Sequence, residues 1–204
     1  MFSGVTVVIV LYLLAFSALH SLLASIKSKR ALQAFFGPRI DRFYLPAFSV
    51  VAAVTLLPLL VLIYLNPGPL LYLVPSPWRY IMIAGQLLVA AWSLRAFIDA
   101  PHRFLVTAQL SGPHPPGTLD IRGIYCSVRD PFLLSGLLLI WMTPFLTENM
   151  LAVFCVATIY LFLGSLHWES RLLAQFGDDY RKYQRSVPRL IPRSRRCPPA
   201  SKTS

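Results

Sequence analysis

Val5-Thr-Val-Val-Ile-Val-Leu-Tyr-Leu-Leu-Ala-Phe-Ser-Ala-Leu-His20-Ser-Leu-Leu-Ala-Ser-Ile26 carries no charged residue. A helix needs about 20 mostly apolar residues to cross the hydrocarbon core of a bilayer, and this stretch supplies them. No Lys or Arg precedes it, and it is longer than the apolar region of a secretory leader, so it reads as a span and not as a cleaved signal. The pattern recurs down the chain. A second span is expected over Phe43–Leu65, where Pro46 and Pro58 are tolerable because neighbouring helices can satisfy the freed carbonyls. A third is expected over Trp78–Ile98, with Arg95 near its end snorkelling to the interface. Two shorter apolar blocks follow, Phe132–Leu146 and Met150–His167, joined by Thr147, Glu148 and Asn149. Their length suits a tilted or partly immersed helical hairpin.

Composition agrees. The 204 residues are 56% hydrophobic and only 13% charged, against about 25% charged in soluble domains. Mean hydropathy is +0.61. An ordinary soluble enzyme is excluded. The expected class is all-α, a multi-pass membrane protein with about five transmembrane helices.

Nineteen Lys and Arg against eight Asp and Glu give a net charge of +11. In a soluble protein that excess would suggest nucleic acid; here it is the loop bias of a membrane protein, and no nucleic-acid partner is expected. Lys27, Lys29, Arg30, Arg39 and Arg42 lie between the first two spans, and Arg95, Arg103, Arg122 and Arg129 surround the loop after the third. Nine more run from Arg171 to Lys202, while the opposite side holds only Arg79. Five spans gather the basic segments on one face. That face should be cytoplasmic, with the amino terminus outside, and the membrane the inner one if the source is bacterial.

The polar segments are unequal. Asn66–Pro77 is uncharged and reads as a plain outer connector. Asp99–Gly123 is broken by Pro101, Pro113, Pro115 and Pro116, and a loop of that length is usually functional or disordered. In Ser170–Val187, Leu172, Leu173, Phe176, Tyr180, Tyr183 and Val187 recur at helical spacing between Arg181, Lys182 and Arg185. That predicts an amphipathic helix on the cytoplasmic membrane surface. The expected organisation is a three-helix membrane part over 1–98, a signature region over 99–192 and a basic disordered tail over 193–204. Cys126, Cys155 and Cys197 are odd in number and widely spaced, so neither a disulfide framework nor a zinc site is expected.

Chemistry concentrates in two stretches. The first is Gly123-Ile-Tyr125-Cys-Ser-Val-Arg129-Asp130-Pro131-Phe132. The second is Glu169-Ser-Arg-Leu-Leu-Ala-Gln-Phe176-Gly177-Asp-Asp-Tyr180-Arg-Lys-Tyr183, ending in Val187-Pro188-Arg189-Leu-Ile-Pro192. Arg129 stands where a loop enters the membrane and Glu169 where the last span leaves it, on one face, and a hairpin would bring them together. A guanidinium can hold a carboxylate in bidentate fashion, and a carboxylate accepts from ribose hydroxyls or an amine. The pair suits a zwitterionic, sugar-bearing ligand; the plainer reading is an interfacial salt bridge.

These stretches resemble the membrane methyltransferase superfamily of isoprenylcysteine carboxyl methyltransferases and phospholipid methyltransferases. Its signature is G-x-Y-x-x-x-R-H-P, then a helical hairpin, then E-E-x-x-L with F-G-x-x-Y-x-x-Y-x-x-x-V-P-x-x-x-P. Gly123, Tyr125, Arg129 and Pro131 match the first part. Glu169, Leu172, Phe176, Gly177, Tyr180, Tyr183, Val187, Pro188 and Pro192 match the second, so the resemblance covers about Leu119–Pro192. The amino-terminal half, with His20-Ser21-Leu-Leu-Ala ending its first span, looks more like the NnrU and methanethiol S-methyltransferase branch. The resemblance implies a methyltransferase using S-adenosyl-L-methionine, with Arg129 on the cofactor carboxylate and Glu169 on its ribose or amine. Gly123, Tyr125, Asp130, Pro131, His167, Tyr180 and Tyr183 would complete the cofactor site. The acceptor would be a small thiol or a lipophilic molecule arriving from the bilayer, and no residue stands out as its activating base.

Three positions depart from the pattern. Asp130 replaces the usual histidine, Leu133 a common tyrosine, and Trp168 the first glutamate. An aspartate beside Arg129 is expected to compete for its guanidinium, which leaves a homologue without activity as one alternative. The other follows from the NnrU resemblance: a haem-binding or accessory protein, with His20 as axial ligand to haem b and His102 or His167 opposite. His114 and His102 lie in the proline-rich loop and are expected to be solvated.

Overall fold

The computed structural model describes residues 3–37, 39–99, 119, 121–193 and 197. The expectations for His102, His114 and the remainder of the proline-rich loop fall outside these residues, as does most of the basic tail. Among the described residues the elements are α1 (Gly4–Ala24), α2 (Ile26–Phe36), α3 (Ile40–Leu65), β1 (Leu70–Leu73), α4 (Trp78–Asp99), a 3-10 turn (Gly123–Cys126), α5 (Pro131–Trp141), β2 (Phe145–Thr147) and α6 (Glu148–Ser186).

Among the described residues four helices are long and apolar enough to cross a membrane, α1, most of α3, α4 and α6, and α5 is a shorter apolar helix. Val50, Val54, Leu57, Leu60 and Val61 of α3 are all more than half exposed. Water would not tolerate such a surface, whereas lipid tails solvate it. The chain is a multi-pass membrane protein of helices. At 11 residues α5 spans about 16 Å, half of the hydrocarbon thickness, in line with a partly immersed helix.

The helices form two compact units that do not follow chain order. Of the described residues, the first holds 3–74 and 145–157, and the second the remainder. In the first unit, Ile9 and Leu13 of α1 and Leu59 of α3 form a buried cluster, with Val153 and Val156 of α6 against it. The Ser3 hydroxyl caps α1 by accepting from the Thr6 amide. Ser25 ends α1 and caps α2, accepting from the Ser28 amide. The basic stretch after span one is therefore an 11-residue helix and not a loop; with a cap ahead of it, its Lys, Arg, Ala, Leu and Gln are strong helix formers.

The outer connector also differs from expectation. Leu70–Leu73 pairs antiparallel with Phe145–Thr147, which satisfies backbone groups that have few partners beside a membrane. Asn149, 2% exposed, locks this end: it accepts from the Thr6 hydroxyl at 2.6 Å and donates to the Asn66 carbonyl at 2.6 Å.

In the second unit α5 packs on α4, with Gln86 donating to the Leu139 carbonyl at 2.8 Å. The largest departure is α6. Glu148–Ser186 is two helices joined at a kink at Gly177, where φ is 52° and ψ −123°, so the break falls inside the expected amphipathic segment and not ahead of it. Past that kink the apolar stripe packs against protein. Tyr180, Tyr183 and Val187 are buried together, with Leu119, Ile121, Leu172, Leu173 and Phe176 around them. Amphipathic spacing reports only that one face is apolar; here protein covers it.

Candidate functional site

The Gly123–Pro131 segment is shaped by its neighbours before it meets any ligand. Asp99, at the end of α4, accepts from the Ile124 amide at 3.0 Å and pairs with Arg95 at 3.0 Å. Gly123 has φ +56°, and a Cβ there would stand 2.0 Å from Asp99 Oδ2. Only glycine fits, so the demand for glycine comes from chain packing. Pro131 occupies the first turn of α5 and is buried, a place where its missing N–H costs nothing. Asp130 is the N-cap: its Oδ1 accepts from the Leu133 amide at 3.0 Å, and its Oδ2 accepts from the Ser165 hydroxyl. The expected pairing of Asp130 with Arg129 is not seen among the described residues; its oxygens accept from the Leu133 amide and the Ser165 hydroxyl instead. Among the described residues Arg129 pairs with Glu169 and not with Asp130.

Tyr125 is buried, and its carbonyl accepts from the Tyr183 hydroxyl at 2.8 Å. The ring of Tyr183 meets Tyr180 edge-on at 5.7 Å, and the Tyr180 hydroxyl donates to Glu169 Oε1 at 3.4 Å. The helix after Gly177 thus ties the two signature stretches together.

At the centre is Glu169, 6% exposed. Arg129 Nη1 stands 2.8 Å from its Oε1. Arg189 Nη2 donates to its Oε2. Arg189 carries no mark in the sequence pattern, since it occupies a variable position between Pro188 and Pro192. It arrives because the chain turns back after Val187: the Arg129 amide donates to the Pro188 carbonyl at 2.9 Å, and the Asp130 amide to the Arg189 carbonyl at 3.2 Å. The contact of Arg129 with Glu169 is close enough for an ion pair but is not aligned as a hydrogen bond. Arg129 Nε and Nη1 are therefore buried donors with no hydrogen-bonded acceptor among the described residues. Two guanidiniums carry ten N–H donors against one carboxylate, so the arrangement has anion-binding capacity left over.

His167 does not join this site. It is exposed, because two residues of helix turn it about 200° away from Glu169, whereas Ser165, four residues back, shares the Glu169 face. His20 lies in the first unit, with its ring 5.7 Å from Phe16 and 4.7 Å from Phe48. Cys126, given no role in the sequence reading, is joined to Cys197 across 71 residues. The expectation of no disulfide fails because the tail folds back: Arg193 donates its amide to the Ser127 carbonyl at 3.1 Å.

No protein-family model matches the chain, and no solved structure does. The curated relatives agree with one another. The chain is similar to curated methanethiol S-methyltransferases. The one from Pseudomonas deceptionensis is 37% identical over 75 residues, 37% of this chain and 29% of that protein. The second such enzyme of Bradyrhizobium diazoefficiens is 42% identical over 71 residues, 34% of this chain and 27% of that one. These matches span less than a third of the relatives' length. The enzyme of Mycobacterium tuberculosis is 28% identical over 197 residues, covering 93% of this chain and 79% of its own.

Proposed function

We propose that this protein is an integral membrane methyltransferase that takes its methyl group from S-adenosyl-L-methionine and delivers it to a small thiol. The observation that carries the reading is the Arg129–Glu169–Arg189 cluster, with buried guanidinium donors of Arg129 that have no hydrogen-bonded acceptor among the described residues. A carboxylate is the natural acceptor for such donors, and the amino-acid end of the methyl donor provides one. The activity for which the relatives are named supplies the acceptor class, a small thiol.

In this scheme Arg129 and Arg189 hold the carboxylate of the donor. Glu169 fixes both guanidiniums and has lone pairs left for an ammonium or a ribose hydroxyl. Tyr180 and Tyr183 fix the segment that carries Glu169 against the one that carries Arg129. When bound, the donor supplies a sulfonium-activated methyl group open to direct displacement by sulfur. Alignment is then the protein's main contribution, and positioning alone is worth about 7–11 kcal/mol in favourable cases. A lipophilic thiol reaches the site from the bilayer past the exposed Phe162, Leu163 and Leu166 of α6. The basic face and the carboxyl terminus are cytoplasmic, where the methyl donor is found.

Titration calorimetry of the purified protein with S-adenosylhomocysteine tests the cofactor, and mass spectrometry of products from methanethiol tests the acceptor. Binding by the wild type and its loss in Arg129→Ala are expected. A wild type that binds no S-adenosylhomocysteine ends this reading; a Soret band in the same preparation would favour the haem alternative at His20.

A further inference from the structure

We infer that Ser165 is a positioning residue whose hydroxyl occupies the carboxylate of Asp130 and so keeps the Arg129 guanidinium open to an anionic ligand. This rests on the methyl-donor reading above. Ser165 is 6% exposed and lies one helical turn before Glu169 on the same face of α6. Two rungs therefore join the start of α5 to the last helix: Arg129 with Glu169, and Asp130 with Ser165. The rungs come from adjacent residues on one side and from successive turns on the other.

The second rung answers a charge problem. Arg129 and Arg189 bring two positive charges, and Glu169 and Asp130 bring two negative ones. A free Asp130 carboxylate beside Arg129 would fill the role meant for a ligand. In the structure Asp130 Oδ1 is committed to the Leu133 amide and Oδ2 to the Ser165 hydroxyl. Remove the hydroxyl, and Oδ2 is left short of a donor in a partly buried place, which is costly. The preceding residue, Arg129, carries a buried Nε with no hydrogen-bonded acceptor among the described residues. Ser165→Ala should therefore turn Asp130 from a helix cap into an internal competitor.

The test is a double-mutant cycle read by calorimetry with S-adenosylhomocysteine. Ser165→Ala is expected to weaken binding about tenfold, part of what a charge-assisted hydrogen bond contributes. Asp130→Asn keeps the capping oxygen, since Asn caps helices as well as Asp, and is the reference background for the double variant. In the double variant Asp130→Asn should restore affinity to within about twofold, a non-additivity that a purely structural hydroxyl would not show. Methylthioadenosine, which has no carboxylate, should bind wild type and Ser165→Ala alike. Equal affinity of wild type and Ser165→Ala for S-adenosylhomocysteine overturns the inference alone, as does failure of Asp130→Asn to rescue. No binding by the wild type overturns the methyl-donor reading and the inference with it.

Discussion

Arg189 and Glu169 are paired across a turn of the chain, with the guanidinium on Oε2 while Arg129 stands at Oε1. The two arginines come from adjoining backbone segments, held by the amides of Arg129 and Asp130 on the carbonyls of Pro188 and Arg189. A glutamate gripped from both sides is a fixed anion, and the arginines around it are fixed cations. Arg189 also lies over the Phe162 ring at 5.9 Å, which holds the guanidinium plane in place.

Replacing Arg189 by Ala should weaken S-adenosylhomocysteine binding by about tenfold or more, as is expected of Arg129→Ala, because a charge-assisted contact is lost. Arg189→Lys should recover only part of it, since an ammonium lacks the planar fork. Calorimetry on both variants checks this; affinity unchanged in Arg189→Ala would remove that residue from the site.

Glu169→Gln should cost stability as well as binding. It leaves two guanidiniums facing each other in a largely buried place, and breaking a buried ion pair costs about 3–5 kcal/mol. Detergent-solubilised protein should melt well below the wild type, while Asp178→Asn, in an exposed pair with Arg181, should melt unchanged.

Gly123→Ala and Gly177→Ala should separate two kinds of glycine. Both positions have positive φ, but a Cβ at Gly123 meets the Asp99 carboxylate, whereas one at Gly177 meets nothing within 4 Å. The Gly177 change should cost about 1–3 kcal/mol of backbone strain, because φ 52° with ψ −123° lies outside even the left-handed helical region. The Gly123 change should cost more, because Asp99 cannot move without giving up Ile124 and Arg95, and Asp99→Ala in the same chain should return part of the loss. Thermal melts of the three proteins decide it; equal losses at the two glycines would contradict the packing account.

Thiol alkylation of the denatured protein should label Cys155 alone without reductant, and all three cysteines after reduction. Cys197→Ser should lower stability by about 4 kcal/mol or less, the chain-entropy value for a loop of this size. Three reactive thiols before reduction would show that the tail is not covalently closed on the signature segment.

Reporter fusions after Asn66 and after Gln175 should report opposite sides of the membrane, the latter cytoplasmic. Both on one side would undo the orientation drawn from the segregated Lys and Arg.

Sequence alone determined the elements that obey a one-dimensional rule. Val5–Ile26, Phe43–Leu65 and Trp78–Ile98 are apolar over the thickness of a bilayer, and a helix fills each of them, the first ending at Ala24. Arg129 and Glu169 were legible as partners because a hairpin returns the chain to the same face. Other features depended on where the chain folds back, and no local spacing records that. The stripe from Leu172 to Val187 advertises an apolar face, yet whether lipid or protein covers it is settled only when Leu119 and Ile121 arrive. His167 looks like a neighbour of Glu169 in sequence and is turned away from it by helical geometry, while Ser165 looks remote and shares its face. Arg189, Cys197 and Asp99 reach their partners across 20, 71 and 25 residues. Such contacts follow from closure of the tertiary structure around a buried charge, which fixes the partner by geometry and leaves no periodic trace in the chain.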